Sequence, residues 1–358
     1  MTINYIHIII AFTISLIFSL IGTPFIVKIC NMRGLYDQPN TRKVHKEAIP
    51  RLGGTLFMPS LVIGVTTTLL IIYGDNNGSV EVNVSTIIMS VGAILIYLIG
   101  ILDDLKGIKA IHKFIIQTIA ALFFPLCNLM INNLHGLLGI YDTPLWFSYP
   151  LTVFVILLIV NAMNLIDGID GLASSLSIII LGALTYFFFV LHSTLFTLIS
   201  ASLTGAVLAF ACYNYFGEIG GMKIFMGDSG SLFLGYVIAY LAIKYQMSGW
   251  ENTGYREEAL LTSITLVFLP CIDVVRVALL RLKNHKEMFA ADKTHIHHLL
   301  MGMGLSMHQA LFTIILLFAM LCVINWGLYL SGIASTWIVL LDTLIYVAVV
   351  WSAYTIGE

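Results

Sequence analysis

Apolar residues fill long, nearly uninterrupted stretches of the chain, and polar residues collect in short segments between them. A stretch of about 20 mostly apolar residues is long enough to cross a bilayer as an α-helix. The pattern predicts about eleven such helices. Their approximate ranges are residues 4–28, 53–73, 84–102, 114–134, 146–163, 173–191, 195–213, 230–244, 259–280, 308–329 and 334–355.

The composition agrees with a membrane protein. Of the 358 residues, 59% are hydrophobic and 10% are charged, whereas soluble domains carry about 25% charged residues. Lipid is therefore expected to solvate most of the chain, and the fold class is predicted to be an all-α polytopic membrane protein. Residues 1–358 are expected to form one integral membrane domain. The net charge of −2, without a basic tail, gives no sign of a nucleic-acid partner.

The positive residues predict the orientation of the helices. If the N-terminus lies outside and the spans alternate, only Lys244 and Arg256 of the 17 Lys and Arg residues fall outside. Cytoplasmic loops of membrane proteins are enriched in Lys and Arg. Removing one span would place the later basic loops on the wrong side. The charges therefore support about eleven spans and a cytoplasmic C-terminus.

Five polar segments fall on the predicted cytoplasmic face, and polar groups near a membrane are functional candidates because they are costly there. The first segment, residues 37–54, contains Arg42, Lys43 and His45. These side chains could bind phosphates. Alternatively, the segment is a basic loop that only sets the topology.

The second segment is 103-DDLKG-107, at the inner end of the third span. The dipole of a helix disfavours negative charge at its C-terminus, so the adjacent carboxylates of Asp103 and Asp104 call for a compensating cation. Carboxylate oxygens suit Mg²⁺; a solvated acidic loop is the alternative. Lys113, at the start of the fourth span, could hold a phosphate or only extend to the lipid headgroups.

The third segment, 161-NAMNLIDGIDGLA-173, places Asn164, Asp167 and Asp170 three residues apart. This spacing can bring three oxygen-bearing side chains to one side of a turn. Gly168 and Gly171 would let the backbone approach a ligand closely. A plain turn needs fewer acids, so the pattern favours a binding site.

The fourth segment, 225-FMGDSGS-231, precedes the predicted eighth span. Asp228 in a Gly- and Ser-rich turn before a helix could help to hold a metal or a phosphate. Asp228 and Ser229 are also good helix-capping residues, which is the structural alternative.

The fifth segment, 292-DKTHIHHLL-300, carries His295, His297 and His298 in a basic loop that follows Arg281. The histidines could bind phosphate, transfer protons or bind zinc. No cysteine completes a tetrahedral zinc set nearby, so phosphate contact is favoured over zinc. Together, the five segments place acids for Mg²⁺ and bases for phosphate on one face, as phosphoryl transfer requires.

These motifs resemble those of the polyprenyl-phosphate N-acetylhexosamine-1-phosphate transferases. The resemblance runs from about residue 33 to residue 300, and its most specific strings are DDLKG, NAMNLIDGIDGLA, MGDSGS and DKTHIHH. It implies that a UDP-N-acetylhexosamine gives its sugar 1-phosphate to undecaprenyl phosphate, with release of UMP. It also implies a multi-pass protein of the bacterial cytoplasmic membrane, with its active site on the cytoplasmic face, and a homodimer by analogy.

The resemblance also implies roles for individual residues. Asp228 is expected to bind Mg²⁺, for which Mn²⁺ could substitute. Asp103 would deprotonate the lipid phosphate with help from Asp104; a covalent aspartate intermediate is the alternative. Lys113 would hold the lipid phosphate. The implied nucleotide-site residues are Asn164, Asp167, Asp170 and Phe225, and those for the sugar diphosphate are His295, His297, His298 and Arg281.

The DKTHIHH string is similar to the branch that uses UDP-N-acetylglucosamine, and it disfavours a muramyl-peptide substrate. N-acetylgalactosamine and deoxy amino sugars remain open. A transporter or channel is a competing hypothesis, but most of the acids crowd one face; Asp273 and Arg276, one turn apart, are the main exceptions. A non-catalytic envelope-assembly protein would not need so many clustered acids.

Overall fold

The computed structural model describes residues 3–37, 48–76, 83–217, 220–247, 256–287 and 294–357. These residues form twelve α-helices, two short strands and two 3-10 helices at Gly53–Leu56 and Leu137–Gly139. The α-helices are α1 Tyr5–Arg33, α2 Phe57–Asn76, α3 Val84–Lys106, α4 Ala110–Leu126, α5 Leu145–Ile166, α6 Leu172–Val190, α7 Thr194–Phe216, α8 Gly227–Met247, α9 Glu257–Lys283, α10 Ile296–Gly302, α11 Met307–Leu330 and α12 Ser335–Gly357.

The predicted class of fold, an all-α polytopic membrane protein, is confirmed. Within the described ranges, nine helices are long and apolar enough to cross a membrane, namely α1, α2 with the preceding 3-10 turn, α3, α5, α6, α7, α9, α11 and α12. The two other predicted spans coincide with α4, which is shorter, and with α8, which is more polar. The count of eleven spans and their orientation stay predictions.

Helix α8 lies at the centre of the bundle, between α3 and α5. Every residue from 229 to 243 is buried. Because other helices surround α8, its sequence does not need a lipid-compatible surface, and it carries tyrosines such as Tyr236 and Tyr240 among its buried residues.

Glycines bring the backbone of two elements against the first turn of α8. A Cβ atom on Gly54 would lie 2.1 Å from the Cα of Gly230, and a Cβ on Gly100 would lie 2.6 Å from the Cα of Ser229. No side chain fits at either crossing. The start of α2 and the end of α3 are therefore held beside the N-terminus of α8.

The segment before α8 is fixed by backbone hydrogen bonds to the segment before α2. The Phe225 N–H donates to the Pro50 carbonyl (2.7 Å), and the Gly53 and Gly54 N–H groups donate to the carbonyls of Phe225 (2.9 Å) and Met226 (2.8 Å). Ile49–Pro50 also pairs, as β2, with the antiparallel β1, Tyr36–Asp37. This arrangement holds residues 49–54, the described end of the first polar segment, beside the fourth polar segment.

The fourth predicted span, 114–134, is wrong at both ends, since α4 runs from Ala110 to Leu126. The helix ends one residue after Pro125, and Asn128 has a positive φ of 57°. The apolar residues 129–131 are buried in the following loop, and Ile131 N–H donates to Thr152 Oγ1 (2.9 Å). They fill the end of the bundle and do not continue the helix.

Candidate active site

The two adjacent carboxylates at the end of α3 have different partners. Successive residues of an α-helix point about 100° apart. Asp104 is only 4% exposed, and its two oxygens accept the backbone N–H groups of Asp228 (2.9 Å) and Ser229 (3.0 Å). The first N–H groups of a helix lack partners within that helix and carry partial positive charge. Asp104 therefore caps α8 from another helix.

Gly227 makes this cap possible. It begins α8 with a φ of +72°, and a Cβ atom there would lie 2.6 Å from Asp104 Oδ2 and 2.3 Å from the Arg51 carbonyl oxygen. Both its left-handed backbone and the lack of space require glycine at this position.

Asp103 faces Lys113 and Asp228. Lys113 Nζ lies 3.2 Å from Asp103 Oδ2 and 2.6 Å from Asp228 Oδ2. Asp103 also accepts the Ile108 N–H (2.6 Å), which fixes the turn between α3 and α4. One ammonium group thus bridges the carboxylates of two helices, and all three side chains are about one-fifth exposed.

Asn164 connects α5 to the same carboxylate. Its Nδ2 donates to Asp228 Oδ1 (3.1 Å) and to Ser231 Oγ (2.8 Å). Asp228 lies inside the first turn of α8, and its side chain is held by Lys113 and Asn164 while Asp104 takes its N–H. Capping of α8 by the Asp228 side chain, the structural alternative from the sequence, is not the role that the structure gives it.

Acidic groups are in excess around Asp228. Asp167 follows the end of α5, and its pKa is raised well above its usual range by burial and then by the nearby carboxylates of Asp170, Asp228 and Asp104. Like charges disfavour the ionised form. Carboxylate oxygens with surplus negative charge fit Mg²⁺. In the described part of the chain, no three His, Cys, Asp or Glu side chains converge to enclose an ion by themselves.

The other residues predicted for the nucleotide site lie beside this cluster. Asp170 forms an ion pair with Lys223 (2.8 Å), and Gly171 N–H donates to Asn214 Oδ1 (2.7 Å). Phe225 is half-buried. The third polar segment therefore meets the fourth through Asn164, and Asp170 pairs with a lysine just before the fourth segment.

The histidine segment packs on the turn that follows α5. His297 is 1% exposed, and a Cβ atom on Gly168 would lie 2.2 Å from its Nε2. Burial, and then the neighbouring His298 and His295, lower the pKa of His297 to about 3, which makes it neutral near pH 7. His298 is partly exposed and Arg281 is buried at the end of α9.

Comparison with known proteins identifies the family. Residues 86–246 match the model described as glycosyl transferase family 4. The chain is 35% identical over 318 residues, 87% of its length and 82% of the relative, to a probable undecaprenyl-phosphate N-acetylglucosaminyl 1-phosphate transferase of Bacillus subtilis (strain 168). The chain belongs to glycosyl transferase family 4. The resemblance inferred from its motifs is confirmed.

More distant relatives carry the same kind of name. The chain is 28% identical over 321 residues, 88% of its length and 82% of the relative, to the undecaprenyl-phosphate alpha-N-acetylglucosaminyl 1-phosphate transferase of Escherichia coli (strain K12). A Salmonella typhi relative with that name is 27% identical over 86% of the chain and 80% of its own length. Membership of family 4 favours an enzyme over the transporter and assembly-protein alternatives.

The structure of this family 4 transferase does not describe one of the predicted groups, and it shows contacts that the sequence did not predict. Arg42, Lys43 and His45 lie outside the described residues. Sequence reasoning missed the cap that Asp104 provides, because the partner N–H groups are more than 100 positions away. Asp273 and Arg276, the main exceptions to the clustering of acids on one face, form an ion pair at 2.8 Å.

Proposed function

We propose that this chain transfers N-acetylglucosamine 1-phosphate from UDP-N-acetylglucosamine to undecaprenyl phosphate and releases UMP. The names of its relatives support this reaction. One structural observation carries the proposal: Lys113 Nζ bridges Asp103 (3.2 Å) and Asp228 (2.6 Å) at one end of an apolar helix bundle. That arrangement suits a phosphate that arrives from the membrane and another that arrives on a nucleotide.

The proposed step forms one bond and breaks one. An oxygen of the lipid phosphate attacks the β-phosphorus of the UDP-sugar, and the bond from that phosphorus to the bridging oxygen breaks, so UMP leaves. Asp103 accepts the proton of the lipid phosphate, because its carboxylate is partly exposed and faces Lys113. Lys113 holds the acceptor phosphate by charge and limits its repulsion from the acids.

Asp228 would hold Mg²⁺, or Mn²⁺ in its place, with Asp103 beside it. Mg²⁺ is usually bound by one or two carboxylates together with substrate phosphates, and Asp228 and Asp103 would supply two carboxylates. The bound ion would neutralise phosphate charge during transfer. Asp104 fixes the Asp228 turn through two backbone N–H groups.

The donor is proposed to lie beside the turn after α5, on which the histidine segment packs. Asn164 and Asp167 would face its nucleotide from beside Asp228, and Phe225 would stack on uracil. The histidine segment contacts this turn at Gly168, so His295, His298 and Arg281 would reach the sugar diphosphate. Asp170, which forms an ion pair with Lys223, would also belong to the nucleotide site.

We also propose the cellular location of the protein and of its site. Eleven spans, an external N-terminus and a cytoplasmic C-terminus would put this site on the cytoplasmic face of the bacterial cytoplasmic membrane. UDP-sugars would reach the site from the cytoplasm. A homodimer is expected from the family resemblance, and the reaction would be the first membrane step of an envelope polysaccharide pathway.

A double-label assay tests the reaction. Purified protein in detergent receives undecaprenyl phosphate, Mg²⁺ and UDP-N-acetylglucosamine labelled in the sugar or, in parallel, in the β-phosphate. Both labels are expected in the lipid, with UMP released and EDTA stopping transfer. Transfer of the sugar label alone would contradict phosphosugar transfer. Failure with N-acetylglucosamine but success with another UDP-amino sugar would correct only the donor.

A further inference from the structure

A buried carboxylate in α9 is the centre of a hydrogen-bond network. Asp273 is 1% exposed. Its Oδ2 lies 2.7 Å from His295 Nδ1, and its Oδ1 accepts from Tyr346 Oη (2.7 Å), the Ile296 N–H (3.0 Å) and Arg276 Nη2 (2.8 Å). An ionised carboxylate has about four acceptor sites. Asp273 therefore has four polar contacts, three at Oδ1 and one, with His295, at Oδ2.

Arg276 and Tyr346 hold this carboxylate in place. Arg276 Nε donates to Tyr346 Oη (2.8 Å), and Arg276 Nη2 also donates to the Thr294 carbonyl. Tyr346 is completely buried in α12. The network thus joins α9, the start of α10 and α12. It includes the Tyr346 hydroxyl, which lies far along the sequence from most of the polar segments.

A carboxylate at Nδ1 determines what the rest of a histidine ring can do. It fixes the proton on Nδ1 and the ring orientation, and it leaves Nε2 as the nitrogen that can bond a ligand. The Ile296 N–H, at the start of α10, is held by the same carboxylate. The Asp273 carboxylate consequently orients both the His295 ring and the start of α10.

The orientation of His295 reaches the proposed donor site. The rings of His295 and His297 are nearly parallel, at an interplanar angle of 3° and a centroid distance of 5.9 Å. His297 packs on Gly168, which lies in the same turn as Asp167. A change in the His295 ring would therefore act on the turn beside Asp228.

We propose that Asp273 is a positioning residue of the sugar-diphosphate site, and that it acts by fixing the tautomer and orientation of His295, with Arg276 and Tyr346 as its supports. This inference rests on the proposed function. It differs from a purely structural ion pair, which would stabilise the bundle without affecting the His295 ring.

Two measurements on the Asp273→Asn variant test the proposal. Nitrogen-15 NMR of histidine-labelled protein reports which ring nitrogen carries the proton, with His295 assigned by His295→Gln. Kinetics report kcat and KM for UDP-N-acetylglucosamine and, separately, KM for undecaprenyl phosphate. A thermal unfolding curve accompanies each variant.

The wild type is expected to carry a proton on Nδ1 of His295, and Asp273→Asn is expected to lose it. The variant should lower kcat/KM for the UDP-sugar by about 10- to 100-fold, the size typical of a lost orienting partner, with an unchanged KM for the lipid. Tyr346→Phe keeps the carboxylate and should give a smaller loss in the same direction, which covers the case in which Asp273→Asn does not fold.

The matched control is Asp342→Asn. Asp342 is likewise completely buried in α12, one turn before Tyr346, but it accepts from Asn325 Nδ2 (2.7 Å) and belongs to another cluster. It should leave the His295 tautomer and the kinetic constants unchanged, even if its unfolding temperature falls.

Three results would overturn the proposal: a wild-type His295 without a proton on Nδ1, a tautomer that Asp273→Asn and Tyr346→Phe leave unchanged, or a changed tautomer with unchanged kinetics for the donor. A wild-type protein that transfers no UDP-sugar would defeat the proposed function instead. In that case the NMR result still decides whether Asp273 fixes His295.

Discussion

Asp104 and Ser229 are 125 positions apart in the sequence, and the Ser229 N–H donates to the Asp104 carboxylate at 3.0 Å. This bond and its neighbour from Asp228 N–H make the end of α3 the cap of α8. The neighbouring Asp103 faces Lys113 instead. A pair of identical residues therefore divides into one carboxylate that caps α8 and one that forms an ion pair with Lys113.

Replacing the two aspartates should separate stability from catalysis. Asp104→Ala leaves two buried N–H groups without partners and should destabilise the fold by about 1–3 kcal/mol for each. Thermal unfolding in detergent measures this effect. Asp103→Asn should reduce turnover with only a small change in unfolding temperature, because its side chain is partly exposed. Equal unfolding temperatures for Asp104→Ala and the wild type would contradict the capping role.

Asp228→Asn should lower turnover by about 10²-fold or more, comparable to the loss of a group that stabilises transition-state charge. Its dependence on Mg²⁺ should move to higher concentrations, because the variant keeps an oxygen ligand but loses its charge. Turnover is measured across an Mg²⁺ titration. Asp142→Asn is the control, since Asp142 accepts from Asn133 Nδ2 (2.7 Å) in the loop after α4. An unchanged titration for Asp228→Asn would remove Asp228 from the metal site.

Phe225→Ala should weaken binding of the UDP-sugar by about 10-fold, because stacking of a base on an aromatic ring contributes about 1–3 kcal/mol. Binding of UDP is measured directly by calorimetry. Phe225→Tyr should retain affinity. The control is Phe216→Ala, an exposed aromatic residue at the end of α7. Unchanged affinity in Phe225→Ala would show that uracil stacks elsewhere.

His297 should make the protein less stable in acid. Its pKa is about 3 in the fold and 6.5 in its unperturbed state, so between these values the unfolded chain binds a proton that the fold excludes. Its contribution to stability is therefore complete above about pH 6.5 and is lost as the pH falls toward 3. Unfolding temperatures of the wild type and His297→Gln at pH 7 and pH 5 test this.

The wild type should lose more stability than His297→Gln on acidification. Asp167 has a raised pKa and acts in the opposite sense, because its contribution is lost as the pH rises. Both proteins contain Asp167, so the difference between them isolates His297. An equal loss in the two proteins would indicate that the fold does not lower the pKa of His297.

A reporter fused after α12 should be cytoplasmic, and one fused before α1 should be external, if the helices cross the membrane eleven times. Two reporter enzymes are fused separately at each end, one active only in the cytoplasm and one active only outside it. They should give opposite signals at each end. Two termini on the same side would mean an even number of spans, and α4 would be the first helix to reconsider because it has 17 residues.

The sequence predicted every long helix of the described residues, because apolar length is a local property. It also brought Asp103, Asn164 and Asp228 to one face, since each lies at the end of an apolar run. It did not predict the N–H groups that Asp104 caps or the contacts of Asp273 with His295 and Tyr346. Those contacts depend on the direction of a side chain on its helix and on segments far away in the chain. Tyr346 had no local signal, since one tyrosine within an apolar span is ordinary.

The predicted boundaries of α4 were wrong for a related reason. Residues 129–131 are as apolar as a membrane span, but they are buried against protein in a loop. Hydrophobicity reports that a residue avoids water and does not distinguish lipid from protein as its surroundings.

The burial of α8 has a consequence for biosynthesis. A segment that places Asp228 in its first turn and Lys244 in its last turn, with tyrosines between them, gains less from lipid than its neighbours when it leaves the ribosome. Its stable surroundings are α3 and α5, which are synthesised earlier. Stable insertion of α8 would then depend on packing against these helices. The rate of its insertion would be limited by the assembly of the earlier helices.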